Sequence, residues 1–309
     1  MTWQEQWLHQ PQTLWFRGII FQIHLWSGLA VGLYIVAISI SGSVLVYRSE
    51  LRQAYEPQPH FVSISGARLT EEELTEYATN EYPEHQVARI ILRDDPSRAA
   101  TVTLTKDGSP TQLLFDPYTG TDLGHRLPLP YRLTTWLLDL HDNLLYGETG
   151  RRINGLGAIV LMLLAGTGAV IWWPGLLTWK RSLRADWHAT WKRFNWSLHS
   201  ALGAWFFLFV VMWGFTGIYL TIPEPFNLIA DTIEPVDEET FEPRTVDTIL
   251  YWIASVHFGR FGGAATKITW FAIGMIPPIL FLTGTLMWWN RVIRPRLRNS
   301  PWYLDFIPL

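Results

Sequence analysis

Four stretches of this chain, residues 18–47, 153–179, 194–223 and 268–290, contain no Asp, Glu, Lys or Arg. They are 30, 27, 30 and 23 residues long. A helix needs about 20 apolar residues to cross a bilayer, and helices of soluble proteins rarely run that far without a charge. Four membrane-spanning helices are therefore expected. The mean hydropathy of +0.10 then averages apolar spans with polar connections. The first stretch is too long for a signal-peptide core and ends in no small-residue cleavage site, so it is expected to stay as a span.

The connections set an orientation. Lys180, Arg181, Arg184, Lys192 and Arg193 face a single acid, Asp186, between the second and third stretches. Arg291, Arg294, Arg296 and Arg298 follow the fourth, against Asp305. Residues 224–267 hold eight acids and three basic residues. The excess of positive charge predicts that both termini and the short basic loop are cytoplasmic. The divisions expected are a cytoplasmic interfacial segment 1–17, a first span 18–48 and an extracytoplasmic domain 49–135. An outer helix with the second span (136–179), a cytoplasmic loop 180–193 and a third span 194–223 follow. An acidic outer connection 224–267, a fourth span 268–291 and a cytoplasmic tail 292–309 complete the chain. Trp3, Trp7 and Trp15 suit a headgroup-level anchor.

Within the outer domain, Thr70 and Glu73 form a capping box ahead of a helix to about Asn80. Residues 86–92 and 99–105 read as strands. Asp107-Gly108 signals a tight hairpin into a strand over 112–115, and Asp116 to Gly120 forms a turn. The net fold class is an all-α membrane bundle of four principal helices with a small α+β domain.

The spans contain a repeat. His24 is followed by Gly28, Ser41, Gly42 and Leu45, and His199 by Gly203, Thr216, Gly217 and Leu220, at identical offsets. A second element places Trp136, His141, Gly147, Thr167, Gly168, Trp172 and Trp173 in register with Trp252, His257, Gly263, Thr283, Gly284, Trp288 and Trp289. Each half crosses the membrane twice, so both keep the same orientation about an axis along the membrane normal. His24 and His199 then share one depth near the cytoplasmic side, and His141 and His257 another near the outer side.

Histidine in a span needs a partner. Interhelical hydrogen bonding is one role; axial ligation of haem is the other, and four histidines at repeated spacing favour it. The chain has no Cys, which removes thiolate ligands, disulfides and covalently attached haem. A zinc site has no acidic ligands within these spans. Two bis-His b-type haems are expected, paired His24/His199 and His141/His257. Gly28 and Gly203, one turn from a ligand, would let a flat macrocycle approach. Arg151, Arg152, Arg260 and Lys267 could hold propionates outside, and Arg17, Lys192 and Arg193 inside, or serve as ordinary flanking charge. His9, His60, His85, His125 and His188 fall in connections and are expected to be solvated. No dinucleotide or P-loop motif occurs, so electrons must come from a quinol or from another protein. A net charge of −3 gives no sign of nucleic-acid binding.

The segments His24-Leu25-Trp26-Ser27-Gly28, Leu140-His141, Leu198-His199 and the two Thr-Gly-x-x-x-Trp-Trp ends at 167–173 and 283–289 resemble the PepSY-associated transmembrane family. Phe115-Asp116-Pro117-Tyr118-Thr119-Gly120 is similar to the closing signature of a PepSY module. The resemblance implies an extracytoplasmic PepSY-like domain and an oxidoreductase of iron uptake, which passes electrons through haem b to ferric siderophores. Two other roles keep the same residues. One is a PepSY-bearing membrane regulator or peptidase-inhibitory module without redox activity. The other is a quinol-linked relay to a different acceptor.

Overall fold

The computed structural model describes residues 2–55, 60–236 and 244–298. Asp237, Glu238, Glu239 and Glu242 of the acidic connection, and Asp305 of the tail, lie outside the described residues. The chain divides into two compact units, one of residues 1–47 with 137–309 and one of residues 48–136.

The first unit opens with α1 (Trp3–His9), whose N-terminus is closed by a Thr2–Glu5 capping box. α2 (Phe16–Leu45) follows. In the second unit lie α3 (Arg48–Ala54), α4 (Glu71–Glu81) and an antiparallel sheet in the order β1 (Gln86–Ile91), β2 (Ala100–Lys106), β3 (Ser109–Phe115) and β4 (Asp122–His125). α5 (Leu129–Asn143) leads back into the first unit. That unit continues with α6 (Gly147–Trp172), α7 (Trp179–Ser182), α8 (Trp191–Thr221), α9 (Glu224–Ile233) and α10 (Thr245–Phe258). α11 (Gly263–Gly274) and α12 (Ile276–Trp288), a π-helical turn (Trp289–Ile293) and α13 (Arg294–Arg298) close it.

α2, α6, α8 and the segment Gly263–Arg296 are long and apolar enough to cross a membrane. The four form a closed ring in which α2 packs on α6, α6 on α8, α8 on α12 and α12 on α2. Leu33, Leu163 and Leu208 stand 75%, 62% and 74% exposed in mid-helix. Water would penalise that apolar surface; lipid does not. Small residues face inward and let the helices close up. At Gly32 of α2 a Cβ would come within 1.9 Å of the Phe281 ring of α12. The fourth span is broken at Met275, because Pro277 and Pro278 bring no N–H groups to the first turn of α12.

The second unit packs α4 against one face of its sheet. Leu74 and Ala78 meet Val102, Leu104, Leu113 and Phe115, all buried. Asp107 and Gly108 both take positive φ, 51° and 77°, and join Lys106 to its partner Ser109 in a two-residue hairpin. Asp116 closes the next turn by accepting from the Tyr118 N–H at 2.8 Å. The edge strand β4 was not among the expected strands; its four residues are too short and polar to show a pattern. His85 also departs from expectation. Its Nδ1 is buried without a partner, with the ring edge-on to Tyr82. Phe115→Ala should cost this unit about 3–5 kcal/mol. Limited proteolysis of the full chain is expected to cut 60–136 while the four long helices stay intact.

Candidate functional site: two histidine pairs in the bundle

The first pair forms where α2 and α8 begin. His24 and His199 each lie eight residues after the first residue of their helix. Their ring centroids are 6.5 Å apart and the planes cross at 84°. His24 Nδ1 lies 3.1 Å from Leu164 O and 3.1 Å from Thr167 Oγ1 on α6. His199 Nδ1 lies 2.8 Å from Thr283 Oγ1 on α12. The threonine protons are already committed, since Thr167 donates to Leu163 O at 2.9 Å and Thr283 to Ile279 O at 2.8 Å. Each hydroxyl oxygen therefore accepts, and each imidazole donates through Nδ1–H. That assigns the tautomer whose Nε2 lone pair is free to bind a metal.

The second pair repeats the arrangement at the other ends of these helices. His141 ends α5 and His257 ends α10, with centroids 6.2 Å apart at 54°. His141 Nδ1 lies 2.9 Å from Ile38 O and 3.2 Å from Ser41 Oγ. His257 Nδ1 lies 2.8 Å from Thr216 Oγ1. Ser41 donates to Ala37 O at 2.7 Å and Thr216 to Met212 O at 2.8 Å. With its proton on the helix carbonyl, each hydroxyl oxygen accepts from the ring. The carriers α5 and α10 are short helices of 15 and 14 residues outside the four long apolar segments, so neither histidine sits on a spanning helix.

The repeated glycines have a common role. A Cβ on Gly42, Gly168 or Gly284 would lie 2.6, 3.0 or 3.3 Å from the Cε1 of His141, His24 or His199. At Gly217 the corresponding distance to His257 is 4.0 Å. Each Ser/Thr-Gly step thus orients one imidazole with its hydroxyl and leaves room for the ring with its glycine. Two further supports escape residue-by-residue matching. Asn154 donates to His141 O at 2.7 Å and accepts from Tyr34 OH at 2.6 Å. Trp270 donates to Val256 O at 2.8 Å. Both stand thirteen residues after their histidine. The spacing carried the signal, but the residue types differ.

A cavity of about 1320 Å³ surrounds the first pair, lined by both histidines, Gly28 and Gly203. It exceeds the roughly 300–1,000 Å³ usual for small-ligand sites. A Cβ on Gly203 would meet nothing within 4 Å, and one on Gly28 only Leu164 at 3.5 Å. Gly203 therefore opens onto space, and Gly28 packs no tighter than ordinary contact. Two imidazoles bound on opposite sides of one metal at about 2.0–2.1 Å per bond, each ring centre about 1.1 Å behind its nitrogen, have centroids roughly 6.3 Å apart. Both pairs match that separation. Among the described residues no group of three or more His, Asp or Glu side chains is placed to hold a metal ion by itself.

The flanking cations are placed as follows. Arg152 is exposed and pairs with Glu148 one turn back; Arg151 pairs with Asp142 at 2.5 Å. Arg260 lies over the Phe258 ring at 4.7 Å. Arg193 stacks on Trp196. Arg17 donates to the carbonyls of Val170, Ile171 and Trp173 at 2.8, 2.5 and 2.9 Å, closing the C-terminus of α6. Among the repeated tryptophans, Trp173 donates to Trp7 O at 3.0 Å and ties α1 to the bundle.

The family described as PepSY-associated TM region matches residues 21–240 and again 230–291 of the chain. All four histidines fall within the matched residues. No curated protein matches.

Proposed function

From the premise that the chain belongs to the PepSY-associated TM region family and is a multi-pass membrane protein, we propose that it carries electrons across a bacterial inner membrane to ferric siderophores outside. Two b-type haems serve as the path, one held by His24 and His199 near the cytoplasmic side, the other by His141 and His257 near the outer side. Both termini are cytoplasmic, and residues 49–135 form an outer PepSY-like domain. The halves of the chain act as parallel-orientation repeats, α2 with α6 and α8 with α12.

The observation that carries this reading is the pair of ring separations, 6.5 and 6.2 Å, with every Nδ1 hydrogen-bonded, which leaves Nε2 as the nitrogen that would bind a metal. Haem b held there by His24 with His199 and by His141 with His257 would supply a one-electron couple for electron transfer. The chain's own contribution is placement. Ser41, which orients His141, lies seventeen residues after His24 on α2, ~26 Å by helical rise. That is close to the ~30 Å hydrocarbon thickness, so the two pairs serve opposite faces. The hydroxyl acceptors fix each ring and raise its basicity as a ligand. One electron reduces the ferric siderophore. Ferrous iron is held less tightly by hard oxygen ligands, and the metal is released.

Full-length protein purified from haem-replete cells is expected to show a reduced-minus-oxidised b-type spectrum, two haems per chain, and reoxidation by a ferric siderophore. A colourless protein would overturn the redox reading and leave the regulator. Haem without reoxidation by any ferric siderophore would leave a quinol-linked relay to another acceptor.

A further inference from the structure

The cavity around His24 and His199 is built for more than an apolar guest. Its lining contains no Asp or Glu, but it does contain Arg17, Lys192 and Arg291. Arg17 is spent on the α6 carbonyls. Lys192 stands at the same spacing from its histidine, seven residues before His199 as Arg17 is before His24. Yet Lys192 has no hydrogen bond or ion pair among the described residues. Arg291 makes only a stacking contact, its guanidinium 5.1 Å from the centre of the Phe21 ring. It lies seven residues beyond Gly284, which packs against the His199 ring. Because α8 begins and α12 ends on this side, both cations sit about two turns, ~10 Å, beyond the imidazole. Between them on the α12 strip, Trp288 Nε1 and Thr285 Oγ1 line the cavity and are buried with no partner. Buried donors are normally satisfied, and Lys192 and Arg291 are exposed and so able to reach an anionic group at the cavity mouth.

We infer that Lys192 and Arg291, backed by the indole N–H of Trp288, form a carboxylate seat for an amphiphilic ligand whose apolar body fills the cavity. On the haem reading, on which this identification rests, the carboxylates are the propionates of the inner haem, and they point to the α8–α12 side. Arg17 and Arg193 are not part of the seat.

The test is reconstitution of the haem-free full chain with iron protoporphyrin and with its dimethyl ester, which lacks the charges. The inner site is read in a His257→Ala background; if that variant loses its fold, stepwise titration of the wild type separates the two sites. The wild-type inner site is expected to prefer the free acid at least tenfold. Lys192→Gln/Arg291→Gln should erase the preference while still binding the ester, and Lys192→Arg/Arg291→Lys should keep it. Equal binding of both porphyrins by the wild type, or a preference that survives the Gln pair, would overturn the seat. A preference present in phosphatidylcholine nanodiscs but lost in phosphatidylglycerol would assign the seat to an anionic lipid headgroup and overturn the porphyrin assignment. A wild type that binds neither porphyrin overturns the haem reading itself, a result distinct from binding both alike.

Discussion

Replacing His199 by Ala should leave one haem per purified chain instead of two, and His24→Ala should give the same count. His199 makes its side-chain hydrogen bond with Thr283, an interaction that contributes about 1 kcal/mol net, so the bundle is expected to survive the change. The imidazole lost is one of two that hold the same iron, and His24 alone leaves the other face open. His141→Ala or His257→Ala should remove the other haem and keep this one. Reduction of an external ferric chelate should fall about 100-fold or more in either case, because no carrier then bridges the ~26 Å between the two levels. The decisive measurement is the haem-to-protein ratio in all four variants. Two haems retained in both His24→Ala and His199→Ala would refute the pairing.

The spans were legible because lipid excludes charge, and four charge-free runs longer than 20 residues have few other uses. The histidine pairs were legible because His and Trp are scarce enough for matched offsets to mean something. Spacing shows recurrence, however, and not contact. Ser41, Thr216, Thr167 and Thr283 were visible as repeated marks, but nothing in a linear offset says that Thr167 on α6 serves His24 on α2. Asn154 and Trp270 occupy equivalent positions and support the same backbone level, yet one is an amide and the other an indole. Identity matching passes over such a pair. Arg17 read as a flanking charge available to a ligand, whereas the C-terminal carbonyls of α6 claim it. That competition depends on where a neighbouring helix ends, which residue pattern fixes only within a turn or two. Residue pattern does not separate the short helix of His141 from the second span either, for a similar reason. Leu144 and Leu145, the residues that break α5 from α6, take positive φ without being Gly or Asn, and only Gly147 beyond them, at φ 55°, is a residue suited to that conformation.

The orienting hydroxyls lead to an asymmetric expectation within one site. Thr216→Val keeps the shape of the side chain and removes the only acceptor within hydrogen-bond reach of His257 Nδ1 among the described residues. Ser41→Ala removes the equivalent hydroxyl beside His141, but Ile38 O still accepts from that ring at 2.9 Å. His141 therefore keeps its tautomer and its direction, whereas His257 keeps neither. Loss of such a supporting partner typically lowers metal affinity about 10–100-fold. Thr216→Val should fall in that range for the outer haem, Ser41→Ala should change it by much less, and Thr216→Ser should restore the wild-type value. The inner haem should be unaffected in all three, since His24 and His199 are oriented by Thr167 and Thr283. Haem transfer to an excess of an apo haem-binding protein gives the loss rate of each site directly. Equal rates for Thr216→Val and Ser41→Ala would mean that the hydroxyls serve helix packing rather than ligand orientation. The backbone carbonyl at Ile38 makes this comparison sharp, because it allows one histidine of the pair to lose its hydroxyl without losing its acceptor.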